Sequence, residues 1–129
     1  MAGVTPNEGE DFALEKIYET ENVVLGLFTN TSGLSETSVW ANITQPTAAG
    51  GYAEKTLTPA DWTVASQNAS TAAQDFVATG AAFSAAIYGY YIRTTDVTPR
   101  ILHFEVNASA PITVADGDTY RVNLSNTLD

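Results

Sequence analysis

Hydrophobic and polar positions alternate along much of this chain with the period of two that is typical of β-strands, and the densest apolar run extends from Ala85 to Thr94. The run is rich in β-branched and aromatic residues, which favour a pleated, half-buried surface. Both predicted faces are apolar, with Ala86, Tyr88, Tyr90 and Ile92 on one and Ile87 and Tyr91 on the other. Because such a strand is usually covered on both faces, we predict that it is the central strand of a sheet. Gly89 lacks a side chain at its middle, which predicts close approach of another backbone or a bulge.

Near the N-terminus the period changes to that of a helix. The apolar residues that recur at helical spacing are Ala13, Leu14, Ile17 and Tyr18. They predict one helix from about Glu8 to Glu19. Asn7 is the predicted N-cap, and Glu10 stands three residues later, where it would complete a capping box.

The remaining apolar segments are short. Predicted strands cover residues 22–30, 52–57, 62–65, 75–79, 100–106, 112–114 and 120–125. Residues 35–43 are ambiguous between irregular chain and a short helical turn carrying Val39 and Trp40. The polar residues 67–71 predict a loop, whereas Gly50-Gly51 and Asp116-Gly117-Asp118 predict turns. About eight short strands with a turn every eight to twelve residues indicate a mainly β, antiparallel β-sandwich or barrel with one short N-terminal helix.

The length of 129 residues predicts a single domain, residues 1–129, with a short N-terminal arm at residues 1–7. The absence of cysteine excludes disulfides, thiolate zinc sites and cysteine nucleophiles. The net charge is −10, and the five basic residues are scattered along the chain: Lys16, Lys55, Arg93, Arg100 and Arg121. Since phosphate backbones and anionic lipids attract clustered cations, neither nucleic acid nor a membrane surface is an expected partner.

The first residues contain neither a basic segment nor an apolar segment of the kind found in signal peptides, and no apolar run approaches the length of a membrane span. We therefore expect synthesis and folding in a cytoplasm.

Two groups of residues carry side chains of types that occur in catalytic or metal sites. His103 beside Glu105 has the residue types of a base and its orienting carboxylate, but the sequence carries no nucleophile motif, so a cross-strand polar pair is the favoured interpretation. Asp116 and Asp118 have ligand types suited to calcium, yet the further ligands of an EF-hand loop are missing and turn geometry explains them. We expect no metal, no cofactor and no enzymatic activity.

Two surface features stay open. Asp11, Glu15 and Glu19 recur at helical spacing, which predicts a solvated acidic face or the binding of a cation or a basic partner. Aromatic residues that would suit a stacking platform for a sugar or a base are Trp40, Trp62, Tyr88, Tyr90 and Tyr91. At strand spacing such residues are more often core, and a glycan-binding face is the alternative.

Four stretches in a fixed order carry a resemblance. They are Val4 to Gly9 (Val-Thr-Pro-Asn-Glu-Gly), Leu25 to Asn30 (Leu-Gly-Leu-Phe-Thr-Asn), Gly50 to Ala53 with Leu57 to Val64, and Ile87 to Ile92 (Ile-Tyr-Gly-Tyr-Tyr-Ile). With them the chain resembles, over essentially its whole length, a widespread group of small tailed-bacteriophage proteins encoded among virion structural genes. The resemblance implies a β-sandwich of jelly-roll type, synthesis in the host bacterial cytoplasm and a place in the virion.

Within a virion the resemblance implies two competing roles. One is a capsid decoration or cement protein that binds the outer shell and stabilises contacts between major capsid proteins, as a homo-oligomer, a trimer or a dimer. The other is a tail, baseplate or fibre-associated protein with a possible glycan-binding face. Because the chain is compact and has neither a coiled coil nor a repeat, decoration is favoured. The candidate partner-binding residues lie in the arm, Ala2 to Asn7, and on the helix: Val4, Pro6, Asn7, Glu8, Asp11 and Glu15.

Overall fold

The computed structural model describes residues 3–128, which form a mainly β protein with one α-helix and antiparallel sheets. Helix α1 spans Asn7–Tyr18. The strands are β1 (Val23–Phe28), β2 (Lys55–Leu57), β3 (Trp62–Ala65), β4 (Asn68–Thr71), β5 (Gln74–Val77), β6 (Gly89–Thr94), β7 (Ile101–Val106), β8 (Thr119–Val122) and β9 (Ser125–Thr127). No helix within the described range is long and apolar enough to cross a membrane.

The largest sheet has four strands in the order β2-β1-β6-β7. Strand β6 lies between β1 and β7, so the prediction of a central strand is confirmed. Opposed residues such as Leu25 and Ile92 turn one face of the sheet toward the main core, whereas Tyr91 lies on the other face. Gly89 allows the predicted close approach, because a Cβ there would collide with the Glu105 carbonyl oxygen.

A three-stranded sheet (β3-β4-β9) and a two-stranded sheet (β5-β8) complete the protein and contribute to the same core. Helix α1 packs on β3 and β4 and buries Leu14 and Tyr18 completely. The ring of Tyr18 lies 4.2 Å, between centroids, from that of Trp62, and its hydroxyl accepts a hydrogen bond from Asn126 Nδ2. The helix is therefore joined both to β3 and to the C-terminal strand.

The start of the helix differs from the sequence expectation. Pro6, in an extended conformation, is the N-cap, and its carbonyl oxygen accepts hydrogen bonds from the backbone N–H groups of Gly9 and Glu10. No side chain caps the helix, so the predicted capping box between Asn7 and Glu10 is wrong. Glu10 is instead buried, with 6% of the residue exposed.

Residues 67–71 were expected to form a loop, but Asn68–Thr71 is strand β4, paired with β3 on one side and β9 on the other. Ser66 and Gln67 make the tight turn between β3 and β4 with positive φ angles of 52° and 60° and without glycine. Ala69 is fully buried in this strand. The prediction failed because burial depends on α1 and on a strand almost sixty residues further along the chain.

Three other predicted strands are shorter or divided. Residues 52–57 contribute only Lys55–Leu57, and the predicted strand at 112–114 is a single bridge between Ile87 and Ile112. The segment predicted as one strand at 120–125 contributes to β8 and β9, which belong to different sheets. Because β6 begins only at Gly89, Ile87 joins the same core as Tyr90 and does not lie on the opposite face.

The ambiguous segment at 35–43 ends in a 3₁₀ turn, Trp40–Asn42, in which Asn42 Oδ1 accepts a 2.8 Å hydrogen bond from the Val39 N–H. The Gly50-Gly51 turn is confirmed, with φ angles of 71° and 75°.

Candidate functional site

The arm and the outer side of α1 carry most of the predicted partner-binding residues. Val4, Pro6, Asn7, Glu8 and Glu15 are all exposed, and Val4 retains 88% of its accessible area. The structure assigns Asn7 to the helix, so the described arm is residues 3–6; Met1 and Ala2 lie outside the described residues.

The arm passes beside the first helical turn, where Thr5 Cγ2 lies 3.3 Å from the position that a Cβ of Gly9 would occupy. We call residues 3–6 together with Asn7, Glu8, Phe12, Glu15 and Glu19 the arm–helix surface.

Phe12 is not among the residues that the sequence indicates for partner binding, yet it keeps 60% of its area exposed. It lies four residues after Glu8 and three before Glu15, so carboxylates flank its ring along the helix. Lys16 Nζ lies 5.5 Å from the centre of the ring. The sequence does contain a sign of this exposure. Phe12 is an aromatic residue that lies outside the apolar stripe of Ala13, Leu14, Ile17 and Tyr18.

Asp11 has an intramolecular role that separates it from the other candidates. Its Oδ1 accepts a 2.7 Å hydrogen bond from the backbone N–H of Gln67, in the turn between β3 and β4. The carbonyl of Gln67 in turn accepts a hydrogen bond from the Leu128 N–H. Asp11 therefore links the helix to the three-stranded sheet, while Glu8 and Glu15 remain exposed to solvent.

The His103 and Glu105 side chains meet at the hydroxyl of Tyr90. This hydroxyl donates a 2.8 Å hydrogen bond to Glu105 Oε2 and lies 3.3 Å from His103 Nε2. Burial lowers the pKa of His103, although the negative charge of Glu105 opposes the change. Burial also raises the pKa of Tyr90, and the hydrogen bond to Glu105 raises it further, so the phenol stays protonated. A cleft of about 220 Å³ opens beside Tyr90 and Glu105.

A second polar cluster lies on the opposite face of the four-stranded sheet. Arg93 donates two hydrogen bonds to Glu54, of 2.9 Å from Nε and 2.8 Å from Nη2, and the Tyr91 hydroxyl donates a third to the same carboxylate. Burial alone would raise the pKa of Glu54, but the hydrogen bonds from Arg93 and Tyr91 bring it below its ordinary value. The Arg93 guanidinium also lies 5.1 Å from the ring of Trp40, which fixes the 3₁₀ turn over the sheet.

The two aspartates of the 116–118 turn are hydrogen-bonded to the backbone. Asp116 accepts a 2.9 Å hydrogen bond from the Gly80 N–H, and Asp118 accepts one of 3.2 Å from the Ala115 N–H. Gly117 between them has a φ of 90°. Both side chains thus stabilise loops, and residues 3–128 contain no group of three or more His, Asp or Glu side chains that could hold a metal ion.

The aromatic residues considered as a stacking platform are dispersed. Trp62 and Tyr90 belong to the main core, Tyr91 is buried on the opposite face of the four-stranded sheet, and Trp40 packs against it with 5.2 Å between ring centroids. Tyr88 is half-buried. None of the five presents a fully exposed ring, so this set offers no flat platform to a sugar.

Comparison of the chain with protein-family models, with curated protein sequences and with solved structures finds no match in any of the three.

Proposed function

We propose that this chain is a structural protein of a tailed-bacteriophage virion, and that it decorates the capsid by binding the outer shell and stabilising contacts between major capsid proteins. The resemblance of the four sequence stretches supports the virion setting. A binding role without catalysis is part of the proposal. The observation that carries it is the arm–helix surface, where Val4 and Phe12 expose apolar area beside exposed carboxylates.

Phe12 and the acidic residues suit a particular kind of partner surface. An aromatic side chain that enters a pocket supplies a large part of the binding energy of many interfaces, while surrounding charges select and orient the partner. Glu8 and Glu15 flank Phe12, and the whole chain carries a net charge of −10. The complementary site is therefore an apolar pocket rimmed by Lys or Arg on the capsid protein.

Decoration of this kind stabilises a shell by mass action. A protein that binds only the assembled capsid shifts the equilibrium toward assembly, by about 2.7 kcal/mol per site when its free concentration is a hundred times its dissociation constant. This requires a folded domain that projects an accessible binding segment. The arm–helix surface meets that requirement, because the buried face of α1 is packed on β3 and β4 while its outer face stays exposed.

The jelly-roll connectivity implied by the resemblance is part of the same proposal. What supports it is the packing of one face of the four-stranded sheet into a core shared with the two smaller antiparallel sheets. A homo-oligomeric state, trimer or dimer, is also proposed, since decoration proteins that bind at symmetry axes match the symmetry of their site.

The test is a binding experiment with purified protein and expanded capsids that lack it. We expect saturable binding at fixed symmetry positions, counted by cryo-microscopy, and a rise in the melting temperature of the capsid. Phe12→Ala, Glu15→Ala and deletion of residues 2–7 should each weaken binding. Matched controls on other exposed segments, Val97→Ala and Glu36→Ala, should bind as the wild type does.

Two results would contradict the proposal in different ways. Saturable capsid binding that none of the three arm–helix variants weakens would remove this surface from the interface while leaving decoration intact. Absence of binding to heads, together with incorporation into tails, would replace decoration by the tail or baseplate role. Glycan-array binding would then become the next measurement.

A further inference from the structure

Strand β7 is an open edge of the four-stranded sheet. Within residues 3–128 it pairs with β6 alone, whereas β6 has a neighbour on each side. Natural edge strands are commonly protected by Lys, Pro or short length, because unpaired backbone groups attract another strand. Strand β7 has six residues, Ile-Leu-His-Phe-Glu-Val, and contains neither Lys nor Pro. Its register shift lies at the Ile101 end, so the part from His103 onward is regular.

The direction of the backbone groups can be assigned along this regular part. The N–H of Asn107 donates a 2.8 Å hydrogen bond to the Tyr88 carbonyl, and the Glu105 carbonyl faces Gly89. Residues 105 and 107 therefore direct their backbone groups toward β6. Because these directions alternate in an antiparallel ladder, Phe104 and Val106 direct their N–H and C=O groups outward.

We propose that β7 is a homodimer interface in which two copies of the chain pair antiparallel about a two-fold axis at Phe104. Hydrogen bonds between the copies require that residues with outward backbone groups face each other. On this strand those are the even-numbered residues, so the allowed registers place Phe104 opposite an even-numbered residue of the second copy. Centring the axis on Phe104 places His103 of each copy opposite Glu105 of the other. The two strands then form a continuous eight-stranded sheet.

The side chains that would face each other select this register over its neighbours. Moving the axis to Glu105 would place two carboxylates directly opposite each other, and moving it to His103 would leave each Glu105 opposite Ile101. Two carboxylates directly opposite each other repel, whereas an imidazole placed opposite a carboxylate can donate a hydrogen bond to it. Only the register centred on Phe104 places the Glu105 carboxylate of each copy opposite the His103 imidazole of the other. It also places the Phe104 rings of the two copies opposite each other.

The outer face of the strand adds apolar area to the pairing. Val106 keeps 55% of its area exposed, and Phe104 is half-buried with its ring 6.3 Å, between centroids, from that of Phe28. In the proposed dimer these side chains of the two copies become neighbours on one face of the extended sheet. The second copy is thus matched in backbone groups, polar side chains and apolar surface, which is the self-complementarity that an isologous interface requires.

The experiment uses the purified chain and two independent readouts. The first is mild oxidation of Phe104→Cys, which introduces the only thiol. Because the axis places residue 104 opposite itself at about 5.5 Å between Cα atoms, within disulfide range, we expect rapid formation of a covalent dimer. Val97→Cys, in the fully exposed loop between β6 and β7, should remain uncrosslinked under the same conditions.

The second readout is the dimer dissociation constant from sedimentation equilibrium. His103→Glu places like charges opposite each other twice and should raise the constant at least about tenfold. The double variant His103→Glu with Glu105→His exchanges the two side chains and should restore the wild-type dissociation constant. This readout does not depend on how well Phe104→Cys folds.

Two outcomes would overturn the inference: a chain that stays monomeric at high concentration, or a dimer that neither Phe104→Cys crosslinks nor His103→Glu weakens. The inference goes beyond the proposed function, because it names the strand and the register through which two copies pair. A β7 dimer that binds no capsid would leave this interface standing and would contradict the decoration role. Capsid binding by a chain that stays monomeric would support decoration and would contradict both the β7 interface and the proposed homo-oligomer.

Discussion

The ring of Tyr91 on β6 lies across Gly26 of the neighbouring strand β1, so that a Cβ at Gly26 would overlap the phenol and come within 2.8 Å of its Cε1. The glycine therefore makes the space in which Tyr91 reaches Glu54 on the far side of β1. Strand β1 is buried at all six positions and Tyr91 is fully buried, so an added methyl group at Gly26 would have to fit into a packed interior.

Gly26→Ala should for this reason destabilise the protein although it adds a single methyl group. The expected loss is about 1–3 kcal/mol in the free energy of unfolding, as for other overpacked cores. Urea unfolding followed by tryptophan fluorescence would measure it. Gly3→Ala, where nothing lies within 4 Å of the new Cβ, is the control and should unfold at the wild-type midpoint. Equal midpoints for the two variants would mean that Tyr91 does not occupy this position.

The ion pair between Glu54 and Arg93 should make stability depend on pH in a defined direction. The folded-state pKa of Glu54 lies below its ordinary value of 4.5, chiefly because hydrogen bonds from Arg93 and Tyr91 outweigh the effect of burial. Its contribution is therefore fully present above about pH 4.5 and is lost as the pH falls through the lower, folded-state pKa.

Glu54→Gln should accordingly lose less stability than the wild type between neutral pH and pH 3. The measurement is the free energy of unfolding of the wild type and of Glu54→Gln at both pH values. Part of the slope should persist in Glu54→Gln, because the pKa of Asp75 is also lowered by its hydrogen bonds to Arg121. An unchanged slope in Glu54→Gln would contradict the assignment.

The sequence predicted those elements whose pattern is local. Strand β1 and the helix were identified close to their observed bounds, because one is a continuous apolar run and the other a clear stripe. The central strand was also identified, but it begins at Gly89 and not at Ala85. Strand β4 was missed because Asn68–Thr71 is polar and its pairing with β9 joins distant parts of the chain. The turn before it is formed by Ser66 and Gln67, neither of which signals a positive φ.

In the candidate site, too, the sequence predicted local features and missed those that depend on distant parts of the chain. Helical spacing identified Glu15 as an outward residue, but it gave Asp11 the same role, because the Gln67 N–H that Asp11 binds lies 56 residues away in sequence. Phe12 was overlooked because aromatic residues are assigned to cores by default, and its exposure is visible only once the packing of α1 is known. Spacing thus predicts which way a side chain points, while its partner depends on the fold.

Substitution of two acidic residues on α1 should have different effects on the stability of the protein. Asp11→Ala removes the charged acceptor of the Gln67 N–H and should cost about 1.5–3 kcal/mol in the free energy of unfolding. Glu15→Ala removes an exposed carboxylate and should change stability by less than about 0.5 kcal/mol. Thermal unfolding of the two variants tests this directly. A stability loss in Glu15→Ala as large as that in Asp11→Ala would show that the two carboxylates have equivalent roles in folding.

The sole histidine provides a direct probe of the edge strand. Burial lowers the pKa of His103 below 6.5, whereas the nearby charge of Glu105 raises it, and burial is the larger effect. Proton NMR of the dilute, monomeric protein should therefore show a titration midpoint below 6.5. Glu105→Gln should move it further down, because only the lowering effect remains. The urea-unfolded chain is the control and should titrate near 6.5. A midpoint that stays unchanged in Glu105→Gln would mean that the Glu105 carboxylate does not act on the His103 imidazole of the same chain.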